Sequence, residues 1–165
     1  HKEYRRQRQM CIRDRYIAPH CKKYEDYDRV MDAGASSKNI YFIRYADLIL
    51  LYAECLLAEN DLAGAKQQVI RVRNRAKVST PITASNNTEM LDFIYEERMR
   101  ELGMEGWRRM DLIRRGADYF AAQVDKYNPF AKGNVQPYHA FYPIPTNEIN
   151  MNDGIGAEDQ NEGYK

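Results

Sequence analysis

Two amphipathic segments joined by a very short link constrain this fold more than any other feature of the sequence. From Tyr41 to Asn60, apolar residues recur at three- and four-residue spacing, which predicts a helix with a wide apolar stripe. Asn60 and Asp61 supply a stop and a new N-cap, and a second helix is predicted from about Leu62 to Lys77. The predicted inner faces comprise Tyr45, Leu48, Ile49, Tyr52, Ala53, Leu56, Leu57, Leu62, Ala65, Val69, Val72 and Ala76. A link of one or two residues forces the two helices into an antiparallel hairpin.

Further helices are predicted after the hairpin. Asn86, with Glu89 three residues later, has the form of a capping box at a helix start. A third helix is therefore predicted from about 89 to 103, and a shorter one from about 106 to 115. Gly103 and Gly106 indicate a bend between them. A short amphipathic piece is predicted at 119–127, after which the regular spacing of apolar residues fades.

The C-terminal tail is predicted to be extended. Pro143 and Pro145, two residues apart, fix the backbone and remove two hydrogen-bond donors. The tail should lie over the helices, because a free tail would have no reason to carry Phe141, Tyr142 and Ile144. The expected fold class is mainly α, with tetratricopeptide-like helical hairpins, long irregular loops and an extended C-terminal tail.

Charge is unevenly distributed along the chain. The net charge is +1, but residues 1–15 hold six basic and two acidic residues, so the remainder is mildly acidic. A basic arm for nucleic acid is one interpretation of residues 1–15. The favoured one is a foreign or artefactual segment, since residues 10–15 resemble translated sequencing-adapter text. The predicted fold therefore concerns residues 16–165, with an irregular stretch at 16–40, and no nucleic-acid partner is expected.

Cysteine count and hydropathy exclude several classes of protein. The cysteines Cys11, Cys21 and Cys55 form no C-x-x-C pair, so neither a zinc site nor a disulfide framework follows. Cys55 is expected to be a small buried apolar residue. No stretch approaches the roughly 18 apolar residues that span a membrane, and the N-terminus lacks the apolar region of a signal peptide. The sequence is expected to start within a longer one or to carry foreign residues.

Three carboxylates four residues apart, Glu97, Glu101 and Glu105, could share one helical face. A carboxylate metal site would need inward ligands such as histidine, and no histidine lies on these helices. A glycosidase needs two carboxylates facing each other across a sugar, which one helical face cannot provide. An ion-pair network is favoured, with partners among Arg71, Arg73, Arg75, Arg98 and Arg108. No catalytic residue, metal or cofactor is predicted, although a hydrolase using Glu97 or Glu101 stays as an alternative.

Aromatic residues of the irregular regions have two interpretations. They are Tyr119, Phe120, Tyr127, Phe130, Tyr138, Phe141 and Tyr142. Such rings can stack on the apolar faces of sugars while hydroxyl groups bind sugar hydroxyls. Alternatively, they fasten the irregular tail to the helices, which is the favoured interpretation for Phe141 and Tyr142.

Four stretches in order resemble the C-terminal region of the SusD/RagB family. They are residues 43–54; Val72-Arg73-Asn74-Arg75-Ala76; the series Ile94, Glu97-Arg98, Glu101-Leu102, Glu105-Gly106, Arg108, Asp111-Leu112 and Arg114; and the tail, with Phe141-Tyr142-Pro143-Ile144-Pro145, Glu148-Ile149 and Gln160-Asn161-x-Gly163-Tyr164. The resemblance covers about residues 40–165. It departs at Asp47, where the family usually has glutamate.

The resemblance implies a non-enzymatic function. Family members bind oligosaccharides or other nutrients on the outside of a Bacteroidetes-type outer membrane, to which an N-terminal lipid holds them. They deliver the ligand to a TonB-dependent transporter of the SusC type. A family member is several times longer than this chain, and neither Cys11 nor Cys21 is the lipid-bearing cysteine. The alternative function is a tetratricopeptide-like adaptor that binds another protein.

The matched motifs look like scaffold, and the resemblance assigns no ligand-binding residue. The residues expected to serve as structural motif are Arg44, Glu54, Arg73, Arg75, Glu97, Arg98, Glu101, Glu105, Arg108, Asp111, Pro143, Pro145, Gln160, Asn161 and Tyr164. Their Glu/Arg/Asp network is expected to fix the bend between the third and fourth helices.

Overall fold

The computed structural model describes residues 23–24, 36 and 38–165. The chain divides into two compact units, His1–Phe42 and Ile43–Lys165. In the first unit, the described residues 38–42 adopt neither helix nor strand. The predicted foreign segment at 1–15, with Cys11, lies outside the described residues, as do Cys21 and most of the irregular stretch at 16–40.

The second unit is helical. Its helices are α1 (Tyr45–Ala58), α2 (Leu62–Arg75), α3 (Asn87–Glu101), α4 (Arg108–Arg114), α5 (Ala117–Tyr127) and α6 (Thr146–Met151), with 3₁₀ turns at Pro137–Ala140 and Ala157–Asp159. No strand occurs within residues 38–165. The predicted mainly α fold class is confirmed, and the hairpin α1–α2 is compatible with the tetratricopeptide-like prediction.

The link between α1 and α2 follows from local chemistry. Asn60 adopts a left-handed backbone with φ of 62°, which asparagine tolerates better than most residues. Asp61 then caps α2, its carboxylate accepting a hydrogen bond from the Gly64 N–H at 2.8 Å. A side chain at Gly64 would meet this carboxylate, since an added Cβ would lie 2.1 Å from Asp61 Oδ2. The predicted antiparallel hairpin thus has a cap that begins its second helix.

The main core lies where α1, α2 and α3 meet. Its buried apolar residues are Ile49, Leu50, Ala53 and Leu57 from α1, Ala65, Val69 and Val72 from α2, Met90 and Ile94 from α3, and Ala84 from the preceding loop. The apolar spacing of α1 and α2 predicts most of these positions. Burying each of the larger side chains contributes roughly 1.5–3 kcal/mol, so this cluster is the main apolar support of the three helices.

One flank of the predicted apolar stripe on α1 lies outside the core. Tyr45, Leu48 and Tyr52 are 63%, 53% and 54% exposed, and Cys55 is also exposed. The prediction that these residues point inward is wrong, because the stripe is wider than the surface that α2 and α3 cover. Ala76 was also assigned to the core, but it follows the end of α2 and is exposed.

The start of α3 is capped by a variant of the predicted capping box. Asn86 Oδ1 accepts a hydrogen bond from the Glu89 N–H at 2.9 Å, as predicted. The Glu89 carboxylate, however, accepts from the backbone N–H and the hydroxyl of Ser85, both at 2.8 Å. The Ser85 backbone bond is the main cause that lowers the pKa of Glu89. The return bond of the box is therefore displaced by one residue toward the N-terminus.

A smaller apolar cluster joins α4, α5 and the first 3₁₀ turn through Leu112, Phe120 and Ala140. Between α4 and α5, Gly116 has φ of 109°, a conformation that favours glycine.

The C-terminal tail is less extended than predicted, since α6 starts directly after Pro145. Proline is compatible with a helix start because the first residues of a helix need no intrahelical N–H bond.

Candidate functional site

Arg98 lies at the centre of a buried charge cluster. Its side chain is 2% exposed and its Nη1 lies 2.7 Å from Asp47 Oδ1. It also reaches both Asp111 oxygens, with Nε to Oδ2 and Nη2 to Oδ1 each at 2.9 Å. Burial opposes the charge of Arg98, but the hydrogen bonds and charges of Asp111 and Asp47 outweigh it and raise its pKa. One arginine of α3 thus joins α1 to α4.

Glu54 extends this cluster along α1. Arg114 approaches it with two nitrogens, Nη1 to Oε2 at 3.0 Å and Nη2 to Oε1 at 3.1 Å, a geometry that favours strong pairing. The Tyr95 hydroxyl donates to Glu54 Oε2 at 3.4 Å. Burial, followed by the Glu54 charge, raises the pKa of Tyr95 to about 12. The Tyr95 phenol therefore stays protonated at neutral pH.

Arg44 ties the start of α1 to the end of α3 and the turn beyond it. Its Nη1 binds Glu101 Oε1 at 2.8 Å, and its Nη2 donates to the Glu101 carbonyl at 2.8 Å. Its Nε donates to both Glu105 oxygens at 3.0 and 2.9 Å. The hydrogen bond to Glu105 is the main cause that raises the pKa of Arg44. Glu101 and Glu105 are therefore bound to one guanidinium.

Glu97 and Glu101 also pair with arginines of α2. Arg73 Nη1 binds Glu97 Oε2 at 2.9 Å in a buried pair, and Arg73 Nη2 donates to the Thr80 carbonyl at 2.6 Å. Arg75 Nη2 binds Glu101 Oε1 at 2.6 Å. The acidic face of α3 is thus neutralised by arginines from α2 and from the start of α1. In the described part of the chain, no group of three or more His, Cys, Asp or Glu residues is arranged to hold a metal.

The C-terminal motif is hydrogen-bonded to the Pro-x-Pro segment. Gln160 binds both backbone groups of Ile144, accepting from its N–H at 2.7 Å and donating to its carbonyl at 2.9 Å. The Asn161 side chain donates to the Tyr142 carbonyl at 2.6 Å, and the Tyr164 hydroxyl donates to the Phe141 carbonyl at 3.1 Å. Prolines 143 and 145 offer no N–H, so the backbone here is satisfied by side chains.

Arg109 fastens this tail to α4 and α5. Its Nη2 donates to the carbonyls of His139 and Ala140, both at 3.0 Å. Its guanidinium lies 5.2 Å from the centre of the Phe120 ring and 4.2 Å from that of Tyr142, within the range of cation–π attraction. A single arginine thus reaches the first 3₁₀ turn, the core of α5 and the exposed start of the Pro-x-Pro segment.

An open cavity of about 730 Å³ lies between the first 3₁₀ turn and the C-terminal motif. Its lining residues are Ala117, Pro137, Tyr138, Phe141, Asn161, Glu162 and Gly163. Gly163 has φ of 86°, and an added Cβ would lie 2.2 Å from Tyr138 Cγ. Both the backbone conformation and the close approach to the ring therefore require glycine.

Comparison with known proteins assigns the chain to a family. The model of the SusD family, SusD_RagB, matches residues 5–164. The chain belongs to the SusD family. A SusD-like protein of Formosa agariphila is 34% identical over 134 residues, which cover 78% of this chain and 25% of that protein. The starch-binding protein SusD of Bacteroides thetaiotaomicron is 32% identical over 142 residues, which cover 82% of this chain and 23% of that protein.

This SusD-family chain spans about a quarter of the length of the curated relatives that it matches. No solved structure matches it significantly. None of the helices in the described part of the chain is long and apolar enough to cross a membrane.

The structure brings most of the predicted motif residues into two groups. The charge network holds Arg44, Glu54, Arg73, Arg75, Glu97, Arg98, Glu101, Glu105 and Asp111, and the tail holds Pro143, Pro145, Gln160, Asn161 and Tyr164. Two predicted partners of the carboxylates lie elsewhere. Arg108 donates to the Tyr95 carbonyl at 3.0 Å, and Arg71 donates to the exposed Tyr45 hydroxyl at 3.0 Å.

Asp47 and Arg114 were missing from the predicted network. Their positions in α1 and α4 place them beside Arg98 and Glu54, but these partners lie 51 and 60 residues away in sequence. A sequence signal for Asp47 was present: it is a charged residue within a largely apolar helical segment. A charge that is buried in such a segment needs a partner of opposite charge. The two aromatic residues that line the cavity, Tyr138 and Phe141, were among the predicted sugar-stacking candidates.

The favoured prediction for Phe141 and Tyr142 holds only in part. The Tyr142 ring lies over Arg109, and the Phe141 carbonyl is bound by Tyr164. Both side chains are nevertheless more than half exposed. The tail is therefore fastened mainly by Arg109, the buried Ala140 and the C-terminal motif, and less by burial of these two rings.

Proposed function

We propose that this chain is the C-terminal part of a protein that binds an oligosaccharide or another nutrient at the cell surface without changing it chemically. The observation that carries the proposal is membership of the SusD family, together with a relative named for starch binding. The full-length protein would be an outward-facing lipoprotein of the outer membrane. It would deliver its ligand to a TonB-dependent transporter of the SusC type.

The charge network supports a structural role for the acidic residues of α3. Glu97 pairs with Arg73 and Glu101 with Arg44 at 2.9 and 2.8 Å. Hydrolysis of a glycosidic bond needs two carboxylates that face each other across the sugar, whereas these two lie on one helix and are each bound to arginine. The geometry therefore suits a brace between helices more than a hydrolytic centre.

Calorimetric titration of the full-length protein tests the proposal. Maltoheptaose is the first probe because of the starch-binding relative, and cellohexaose, xylohexaose and a mixture of short peptides extend the range of ligands. Saturable binding of at least one probe is expected, with the probe recovered intact by chromatography. Failure to bind any of them would contradict the proposal.

The alternative of a hydrolase is tested in the same samples. If the full-length protein shortened a probe, and Glu101→Gln abolished this turnover while preserving the circular dichroism spectrum, a catalytic role would replace the structural one. Glu148→Gln is the matched control, because Glu148 is an exposed carboxylate of α6 outside the network.

Delivery to a transporter is tested by affinity purification from outer membranes. The full-length protein should copurify with a SusC-like transporter, whereas a variant without its lipid-bearing cysteine should be released from the membrane. Recovery without any such transporter would contradict the delivery step alone.

A further inference from the structure

The cavity between the first 3₁₀ turn and the C-terminal motif has walls of two chemical kinds. Tyr138 and Phe141 supply aromatic surface, while Asn161 and Glu162 supply polar groups. The Phe141 side chain is 57% exposed although its backbone carbonyl is bound by Tyr164. The backbone at Phe141 is therefore held in place while the surface of its ring remains accessible.

Several polar atoms of the cavity have spare hydrogen-bonding capacity. The side-chain amide nitrogen of Asn161 donates a hydrogen bond to the Tyr142 carbonyl at 2.6 Å. Its Oδ1 atom can still accept a hydrogen bond from a ligand. Within residues 38–165, no hydrogen bond uses the Tyr138 hydroxyl or the Glu162 carboxylate. An exposed aromatic ring beside carboxylate, amide and hydroxyl groups is the combination that recognises a sugar, whose C–H face is apolar and whose rim carries hydroxyls.

The charge of the lining residues narrows the class of sugar. Glu162 is the one ionisable carboxylate among them, and none of the lining residues is lysine or arginine. An anionic sugar would meet repulsion from Glu162 without a compensating cation. A neutral sugar can instead donate its hydroxyl protons to the carboxylate, in charge-assisted hydrogen bonds.

The cavity is also held in shape before any ligand arrives. Tyr138 packs edge-on against Tyr164, with ring centres 5.2 Å apart. Its ring centre also lies 4.2 Å from that of His139, and Gly163 approaches it closely. Asn161 and Tyr164 bind the backbone of residues 141–142. Such preorganisation reduces the entropy that binding must offset.

We propose that this cavity is a subsite for one neutral sugar unit of an oligosaccharide, with Phe141 stacking on the ring and Glu162 accepting hydroxyl hydrogen bonds. The subsite rests on the proposed function, because it assumes that the protein binds glycans. Beyond the proposed function, the subsite places a ligand contact in the C-terminal tail. It assigns stacking to Phe141 and hydrogen-bond acceptance to Glu162, and it predicts a preference for uncharged sugars.

Calorimetry on the full-length protein and two variants tests the subsite, with maltoheptaose, cellohexaose and xylohexaose as probes. Phe141→Ala should weaken binding of at least one probe about fivefold through loss of stacking. Glu162→Gln should weaken the same probe about threefold through loss of a charge-assisted acceptor. Both side chains are exposed, so the fold should be preserved.

Matched controls separate the subsite from general surface effects. Phe130 is 87% exposed and does not line the cavity, so Phe130→Ala should leave the dissociation constant within about twofold, as expected for a residue outside the contact. Glu148→Gln is the equivalent control for the lost carboxylate. If Phe141→Ala impaired folding, the affinity of Glu162→Gln would decide whether the cavity binds a sugar unit.

The outcomes distinguish the subsite from the function on which it rests. Weaker binding by the cavity variants, with unchanged controls, supports the subsite. Unchanged binding by both cavity variants would overturn the subsite while the proposed function stands. Absence of binding by the unmodified full-length protein to all three oligosaccharides would overturn the subsite, and absence of binding to the short peptides as well would overturn the proposed function.

Discussion

Among α1, α2, α3 and α4, buried ion pairs lie beside a buried apolar core. In the tail from residue 137 to 164, by contrast, the side chains that hydrogen-bond to the backbone are half-buried or exposed. Arg98 is 2% exposed between two aspartates, but Asn161, which holds the Tyr142 carbonyl, is itself exposed. Breaking a pair costs more where water cannot replace the lost partner. The two regions should therefore respond very differently to the loss of one polar side chain.

The largest effect is expected in the buried cluster. Arg98→Met would leave Asp47 and Asp111 without their main partner in the interior, at a cost of about 3–5 kcal/mol in the free energy of unfolding. Urea unfolding of the full-length protein measures this cost. Arg100→Met is the control, because Arg100 is an exposed arginine on the same helix, and it should cost under about 1 kcal/mol. Similar costs for both variants would break the comparison between buried and exposed polar groups.

The pH dependence of the free energy of unfolding tests the buried side of this comparison through the Tyr95 phenol. Because the pKa of Tyr95 is raised to about 12 in the folded protein, the folded state holds this proton more tightly than the unfolded state. The corresponding stability is present below about pH 10 and is lost as the pH rises toward 12, by at most roughly 2–3 kcal/mol. Tyr95→Phe should remove this part of the pH dependence. Parallel stability curves for the two proteins between pH 9 and 12 would contradict the prediction.

A moderate effect is expected in the tail. Gln160→Ala removes both side-chain bonds to Ile144 and should cost about 1 kcal/mol, since water can reach the freed groups. Hydrogen exchange at the Ile144 amide should accelerate about tenfold, while amides of α1 keep their protection. Gln67→Ala is the control, because Gln67 is an exposed glutamine of α2. Unchanged exchange at Ile144 would mean that the C-terminal motif does not hold the Pro-x-Pro segment.

The smallest effect is expected for a pair at the edge of the network. Arg75 is 64% exposed where it meets Glu101, and Glu101 keeps Arg44 as a second partner. Arg75→Gln should therefore lower the free energy of unfolding by less than about 1 kcal/mol, whereas Arg44→Gln should cost more. Urea unfolding of the two variants ranks them, and the reverse order would contradict the assignment of Arg44 as the main partner.

The helices were predictable because their signals are local. Spacing of apolar residues located α1 and α2 to within a few residues, and the capping box at Asn86 located α3. The exposed flank with Tyr45 and Tyr52 was not predictable, because periodicity gives the direction of an apolar face but not the area that neighbouring helices cover.

The candidate sites depend on long-range pairing, which spacing along one helix does not reveal. The Arg44–Glu101 and Arg114–Glu54 pairs join residues 57 and 60 positions apart. In the tail, the prediction of an extended backbone agrees with Phe141, whose φ is −103° and ψ 153°, but Pro-x-Pro gave no sign of α6. The resemblance identified Gln160, Asn161 and Tyr164 as a motif, and the structure supplies the reason, namely their bonds to residues 141–144.

A double-mutant cycle on Arg98 and Asp111 tests most directly the claim that the buried charge network stabilises the helices. The unfolding free energies of Arg98→Met, Asp111→Leu and the double variant give the coupling between the two residues. A coupling of about 2–3 kcal/mol is predicted, because the second substitution removes a charge that the first has left unpaired. Coupling near zero would contradict the claim.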